Sequence, residues 1–561
     1  MKKLIFILLF IPQIVLGNNY YVATTGNNSN AGTIGSPWLT WQYAFNQLSA
    51  GDTLFIRGGT YYATGYSSGG NYYGVKVNYL YGTSSEKIVV KNYLSEVPIL
   101  DGTNVTQNGM HFGINMDDCS YWHLKGLTVK NFKEYVSGGV YKYANGWNGS
   151  CTNMIFEQCR VEGCGMGFTF GGIANNLYFL NCDSYNNVDF INDGDYSDGF
   201  NVNIGVGTTV IYEGCRSWYN SDDGFDSYNT SNYSGTLSYI NCWSWDNGRY
   251  VGGDGVAFKL GDVVGPPPDL NIRRTVRNCV AWDNKAGIDE GQENADGDCI
   301  SMNIYNNTLY NNFYRNLTFS AHEPTTGLIR IFNNISYNDG IYGDVIRVDA
   351  QLTQTTNSWQ IATVTDADFV SVSDVGADGA RKSNGDLPDI DFLKLDISSD
   401  MIDIGTYVGV DYAGDAPDLG AFEYGSAKDE PTIPTVTTAL ITAITATTAT
   451  SGGNVTDDGG VLVNARGICW STAPNPTILN HNDPKGTGEG EFTSYLTGLE
   501  NELTYYVRAY ATNSVGTAYG NNEVFTASST PPVIGLTHFV TNGSGGIHYK
   551  VKSNGKFVKS K

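Results

Sequence analysis

The sequence predicts an all-β protein: a long parallel β-helix, or solenoid of stacked coils, followed by a small β-sandwich. Three observations predict it. A six-residue unit recurs at a fixed phase through the middle of the chain, each copy follows strand-like alternation, and the composition turns rich in Thr, Val and Ala after Gly425. In register the unit reads Cys182-Asp183-Ser184-Tyr185-Asn186-Asn187, Cys215-Arg216-Ser217-Trp218-Tyr219-Asn220, Cys242-Trp243-Ser244-Trp245-Asp246-Asn247 and Cys279-Val280-Ala281-Trp282-Asp283-Asn284. An earlier copy begins at Cys159, and two later copies begin with Asn307 and Asn334 in place of Cys. Successive copies lie 23 to 37 residues apart. Period-2 alternation before each copy, as in Val210-Ile211-Tyr212-Glu213, reads as strand. Short strands with Cys or Asn at fixed phase are the pattern of a parallel β-helix. Equivalent side chains should then stack roughly 4.8 Å apart, the Cys as an inward ladder and the Asn as a second ladder at a turn.

In chain order, Lys2 and Lys3 precede an apolar run over residues 4–16, with Val15 and Gly17 as the small residues of a cleavage site. This is the pattern of an export signal over 1–17, which makes the mature chain secreted or cell-surface. Residues 20–23 read as a strand and 37–48 as a helix, with Ser36 as N-cap and Pro37 in the first helical position. Residues 51–61 open the first coil, and 387–393 with 416–423 are expected to close the far end, so the β-helix domain and its caps span 18–425. Ten Cys in an exported chain suggest disulfides, but five share one repeat phase, which predicts free thiols used as small core filler. Residues 426–434 form a linker. Residues 435–528 alternate as short strands, and Leu499 with Tyr505 resembles the tyrosine corner of a fibronectin type III-like sandwich. Residues 529–561 end in a lysine-rich stretch expected to be a solvated basic tail.

Charge narrows the partner. The 561 residues include 33 basic and 56 acidic side chains, a net charge of −23. That argues against nucleic acid, whose phosphates need a basic face. No apolar run beyond the export signal is long enough for a membrane-spanning helix, and a monomer is expected. An acidic polymer would be repelled unless a metal ion or local cations reverse the field.

The densest acidic cluster is Asp193, Asp195 and Asp198-Gly199-Phe200, followed by Asp222-Asp223-Gly224-Phe225-Asp226. Asp198 and Asp222 are 24 residues apart, about one coil, so Asp198 is expected beneath Asp222, Asp223 and Asp226. Carboxylates that close must take up protons or bind a cation, and an all-oxygen set selects Ca²⁺ over zinc. Lys259, in Phe258-Lys259-Leu260-Gly261, lies 33 residues after Asp226 and so on the coil above. Partial burial there is expected to lower its pKa and make it a base. Arg249, Arg273 and Arg274 are basic residues nearby in sequence.

These motifs, together with Val276-Arg277-Asn278-Cys279, resemble polysaccharide lyase family 9, the pectate lyases on right-handed parallel β-helices. The resemblance covers roughly residues 20–425. It implies Ca²⁺ held at Asp198, Asp222, Asp223 and Asp226, and Lys259 as the Brønsted base. The implied partner is an acidic polysaccharide, a 4-linked polyuronide with pectate or polygalacturonate foremost, cleaved by β-elimination. One stretch departs from the family pattern: Gly287-Ile288-Asp289-Glu290-Gly291 is more acidic than expected there. Two other functions would use the same residues. A glycoside hydrolase would take two Asp as acid and base, and a non-catalytic carbohydrate-binding surface protein would use Ca²⁺ structurally.

Overall fold

Three strands per coil, each paired in parallel with its counterpart one coil away, build the N-terminal unit. The computed structural model describes residues 17–63, 66–137, 140–172, 174–203, 207–227, 235–250, 252–261, 271–290, 301–319, 328–346, 352–425, 432–459, 463–513, 515–528, 549–551 and 557–559. The chain divides into two units, Met1–Ser426 and Ala427–Lys561. In a representative coil, a front strand (Phe200–Val202) leads to a middle strand (Thr209–Glu213) and a back strand (Arg216–Trp218), before the next front strand at Phe225–Asp226. The back strands form a ten-stranded sheet. Front and middle strands merge into one 21-stranded sheet, because His111–Lys125 and Ala144–Glu157 run through both.

The register follows from the inward aromatic residues. Phe168, Phe200, Phe225 and Phe258 pair in sequence on the front strands, with ring centroids 5.0, 4.8 and 5.2 Å apart. All four rings are fully buried, and each contributes roughly 1.5–3 kcal/mol of transfer free energy. Slipping a front strand by one residue would turn this column outward.

Both ladders expected from the repeat phase form. The middle-to-back turn puts Asn181, Asn241 and Asn278 at φ 56, 52 and 55°, a left-handed conformation that Asn tolerates. The next residue is the Cys or Asn that starts each unit. Cys182 Sγ donates to the Phe156 carbonyl at 3.2 Å and Cys215 Sγ to the Phe179 carbonyl at 3.3 Å, one coil back. Where Asn replaces Cys, Asn307 Nδ2 donates to Asn334 Oδ1 and Asn334 Nδ2 to Asn357 Oδ1, each at 2.9 Å. At the back-to-front turn Asn187, Asn220 and Asn247 each donate from Nδ2 to the next Asn of the ladder at 2.9 Å. Nine cysteines are free and buried, and Cys299 lies outside the described residues.

The two caps differ from expectation. The helix is Trp41–Phe45, with Thr40 as N-cap accepting from the Tyr43 N–H, in place of a helix over 37–48 capped by Ser36. Residues 36–38 are drawn into bridges instead: the Ser36 N–H donates to the Thr33 carbonyl and the Trp38 N–H to the Tyr21 carbonyl. At the far end, the helix Ser358–Ile361 packs Trp359 against the main core. The segments over 387–393 and 416–423 do not close that end. Phe392, Leu393 and Leu419 pack on Trp218, Trp245 and Trp282, which stack along the outer face of the back sheet with centroids 4.7 and 4.6 Å apart. Three large outward indoles need cover, and this segment supplies it. Arg381 fastens it, sharing the buried Asp183 carboxylate with Arg216.

Two antiparallel sheets form the main body of the second unit among the described residues. One joins Thr435–Thr438, Ala449–Asp457 and Gly490–Leu496, and the other centres on Ala465–Ser471 and Thr504–Thr512. Tyr505, Val507 and Ala509 are buried, as alternation requires, and the Glu500 N–H donates to Tyr505 Oη at 3.0 Å. The C-terminal tail is not plain chain throughout, since Tyr549–Val551 pairs antiparallel with Phe557–Lys559. Residues 1–16 of the export signal expected over 1–17, and residues 426–431 of the linker expected over 426–434, lie outside the described residues.

Candidate active site

The acidic motifs fall on consecutive front strands because their Phe residues must stack inward. The glycine before each Phe is also dictated by packing. A Cβ at Gly199 would lie 2.0 Å from Ser217 Oγ, and one at Gly224 2.1 Å from Ser244 Oγ. Only glycine lets the front strand approach the back-sheet serines. Counting from the paired Phe200 and Phe225, Asp198 sits beside Asp223 and Asn201 beside Asp226. The Phe225–Phe258 pair then puts Lys259 next to Asp226 on the following coil.

These positions converge. Asp198, Asp222 and Asp223 are buried, and each offers a carboxylate oxygen within 4.8 Å of the others. Backbone and amide donors hold them in place. The Asp223 N–H donates to Asp198 Oδ1 at 3.1 Å, the Asp254 N–H to Asp222 Oδ1 at 2.6 Å, and the Val256 N–H to Asp223 Oδ1 at 2.7 Å. Asn201 Nδ2 donates to Asp198 Oδ2 at 2.7 Å and reaches Asp226 Oδ2 at 3.3 Å. Two buried oxygens make no hydrogen bond, Asp226 Oδ1 and Asp223 Oδ2, and the second is held by an ion pair alone. The second of these lies 3.1 Å from Lys259 Nζ, which also donates to Asp254 Oδ2 at 2.9 Å. Asp193 and Asp195 stay exposed outside this group.

Burial is the first cause raising the pKa of all four carboxyls. Neighbouring carboxylates add to it at Asp198 and Asp222, while Lys259 opposes it at Asp223 and Asp226. The expectation for Lys259 is corrected. Burial does act to lower its pKa, but Asp223, Asp226 and Asp254 outweigh it and hold the ammonium above the ordinary lysine range. Two of the three arginines near in sequence are engaged elsewhere. Arg249 pairs with Asp246 and lies over the Tyr219 ring, and buried Arg274 donates to the Leu260 and Gly235 carbonyls.

A buried, all-oxygen donor set with two undonated oxygens fits a hard cation such as Ca²⁺. Asn201 and Asp254 escaped the sequence reading. Asn201 is legible only once Phe200 and Phe225 are known to pair, and Asp254 only once Lys259 is known to turn back toward its own corner.

A profile of the family described as Pel9A-like, right handed beta helix region, matches residues 20–337. Pectate lyase L of Dickeya dadantii (strain 3937) is 28% identical over 420 residues, covering 72% of this chain and 90% of that protein. The crystal structure of pectate lyase Pel9A superposes with a TM-score of 0.58 at 25% identity, over 73% of this chain and 97% of that one. A rhamnogalacturonan lyase superposes with a TM-score of 0.55 at 27% identity, over 68% of this chain and 97% of that one.

Proposed function

Because the chain belongs to the Pel9A-like right-handed β-helix family, it is a polysaccharide lyase, and we propose that it cleaves a 4-linked pectic uronan by β-elimination at the front-sheet site, with Ca²⁺ as cofactor and Lys259 as base. The observation that carries this reading is the placement of Lys259 Nζ 3.1 Å from Asp223 Oδ2, at the edge of the three-carboxylate group.

The chemistry follows from the substrate's weakness as an acid. The C5 proton of a uronate lies α to a carboxylate, so its removal builds negative charge on a group already negative. Asp198, Asp222, Asp223 and Asp226 would hold the metal, which when bound supplies positive charge against the substrate carboxylate and the enolate-like transition state. Lys259 accepts the C5 proton. The C4–O bond then breaks, leaving a C4–C5 double bond on the new non-reducing end, while the departing oxygen takes a proton from solvent and becomes the hydroxyl of the new reducing end. For this Lys259 must be neutral. Asp223 and Asp226 raise its pKa only while their charge is uncompensated, so once they act as ligands two of the carboxylates that oppose the lowering by burial are withdrawn. Asn201 positions two of the carboxylates and takes no proton.

The remaining assignments rest on sequence pattern. Residues 1–17 are an export signal, and residues 435–528 form a fibronectin type III-like module, a reading supported by the Glu500–Tyr505 hydrogen bond. The test of function is ultraviolet absorbance of unsaturated product from a panel of polyuronides, with Ca²⁺ or EDTA, for wild type and Lys259→Ala. A rise on a pectic polymer, abolished by EDTA and by Lys259→Ala, is expected. New reducing ends that form in EDTA without unsaturated product would overturn the lyase in favour of a hydrolase.

A further inference from the structure

A surface suited to sugars lies on the first coils, on the middle strands rather than the front ones. Tyr21 pairs with Phe55 and Phe55 with Lys91. Their neighbours along the strands, Val22, Leu54, Ile56 and Val90, are fully buried. Alternation therefore turns Tyr21, Phe55 and Lys91 outward. The Tyr21 and Phe55 rings stack with centroids 5.1 Å apart, and Tyr93 meets each of them edge-on at 6.0 Å. All three rings are partly exposed and none belongs to the main core. Lys91 Nζ lies 5.1 Å from the Phe55 centroid, and Arg57 Cζ 4.8 Å from that of Tyr93. Arg57 forks onto Glu96, from Nε at 2.9 Å and from Nη2 at 2.8 Å. Both line an open cleft of about 470 Å³ together with Thr24, Thr25, Gly58 and Val97. Charge points the same way. Lys125, next to Lys91 in its column, is paired with Glu157, whereas Lys91 has no carboxylate at ion-pair distance among the described residues. Burial, and then Lys125, lower the Lys91 pKa, with Glu157 acting against them, so an anion placed there would be stabilised. Open aromatic faces beside such an ammonium accept a sugar ring and its carboxylate together.

We propose that Tyr21, Phe55, Tyr93 and Lys91, with the Arg57–Glu96 cleft beside them, form a non-catalytic binding site for uronate-bearing polysaccharide. Lys91, Lys125, Glu157, Leu180 and Glu213 follow one another in one column of the middle strands. Glu213 ends the middle strand that follows Phe200–Val202. The site is thus four coil steps, roughly 19 Å, along the axis from the first acidic coil, and on a different column of strands. It takes a separate polymer strand, or a distant stretch of the same one. Held there, the enzyme stays on its polymer while the front-sheet site engages and releases, a gain in effective concentration rather than in chemistry. The choice of an acidic polymer rests on the lyase reading, and the site itself rests on this geometry.

The test is affinity electrophoresis of full-length Lys259→Ala protein in EDTA, which withholds Ca²⁺ from the front-sheet carboxylates. The gels carry polygalacturonate, or the same polymer with its carboxyls reduced to alcohols. Polygalacturonate should retard the protein, and the reduced polymer should bind about fivefold more weakly or worse. Lys91→Gln and Phe55→Leu, added singly, should each raise the dissociation constant for polygalacturonate by about fivefold or more. With Lys259 restored and Ca²⁺ present, both variants should keep kcat/KM on hexagalacturonate within about twofold of wild type. Both should slow release of unsaturated product from insoluble pectate by about threefold or more. No retardation in EDTA, or retardation unmoved by either substitution, overturns the inference, and equal retardation by the reduced polymer overturns the anionic ligand. Absence of unsaturated product from hexagalacturonate and pectate would overturn the lyase reading instead, and the EDTA gels then still decide the site. Phe55→Leu keeps apolar cover on the strand, and should it fail to fold, Tyr93→Leu carries the same comparison.

Discussion

Replacing Asp222 by Asn should stabilise the metal-free protein while removing its response to Ca²⁺. The carboxylates of Asp198, Asp222 and Asp223 approach within 4.8 Å of one another. At an effective dielectric of about 20, two unit charges at that distance repel by about 3.5 kcal/mol. Asp222→Asn removes two of the three repulsions and keeps the oxygen that accepts from the Asp254 N–H. The gain is capped, because the native cluster can instead hold a proton. At pH 8 that costs about 5.6 kcal/mol for a carboxyl of ordinary pKa near 3.9, at about 1.36 kcal/mol per unit. Solvent relaxation reduces both figures, so the expected relief is about 2–4 kcal/mol, several degrees in melting temperature. Wild type, by contrast, should gain about 2.7 kcal/mol from Ca²⁺ at about one hundred times its dissociation constant. Differential scanning calorimetry at pH 8, in EDTA and in millimolar Ca²⁺, separates the two effects. A variant that melts below wild type in EDTA, or that keeps the full Ca²⁺ increment, would refute the reasoning.

Lys259→Ala should lower turnover by about 10²–10⁴-fold, the ordinary worth of a general base, while the rise in melting temperature on adding Ca²⁺ persists; loss of that rise would make Lys259 structural. Gly224→Ala forces a Cβ to 2.1 Å from Ser244 Oγ, so it should destabilise by about 1–3 kcal/mol, with partial rescue by Ser244→Gly in a double-mutant cycle. Burial, and then Asp189, push the Glu134 carboxyl up from 4.5 to about 9. A raised acid contributes stability that is present below its unfolded pKa and lost as pH climbs through the folded one. The melting-temperature advantage of Glu134→Gln should therefore grow from pH 5 to about pH 9, and a constant difference would contradict the shift.

The coil phase was legible because it is a local demand. A left-handed turn position admits Asn, as at Asn181 and Asn278, and the following inward slot admits a small Cys or a self-pairing Asn. The stacking of Asp198 on the later Asp group was legible for the same reason, since Phe200 and Phe225 can only pair inward. What escaped depends on distant partners. Trp218, Trp245 and Trp282 carry no local sign that residues 387–423 will cover them. The helix start moved to Thr40 because Trp38 bonds back to Tyr21, a contact that no capping pattern reports. The sign of the Lys259 shift required knowing that carboxylates from the preceding coil and from its own corner surround one ammonium.

That reversed sign links metal binding to proton abstraction. Asp223 and Asp226, which hold Lys259 protonated, are also proposed metal ligands. Compensating their charge withdraws two of the carboxylates that raise the lysine, so ligation and activation of the base become one event. The sign is fixed: a raised pKa falls as its carboxylate partners are neutralised. In a pH–rate profile the ascending limb of kcat/KM, where the base loses its proton, should move to lower pH as Ca²⁺ rises from limiting to saturating. The limb should stay fixed in Asp222→Asn protein at the same Ca²⁺ concentrations, because that variant leaves the Lys259 carboxylates uncompensated. A limb that stays at the same pH in wild type while its height alone changes with Ca²⁺ would separate the two roles, leaving the metal to act on the substrate carboxylate and another group to discharge Lys259.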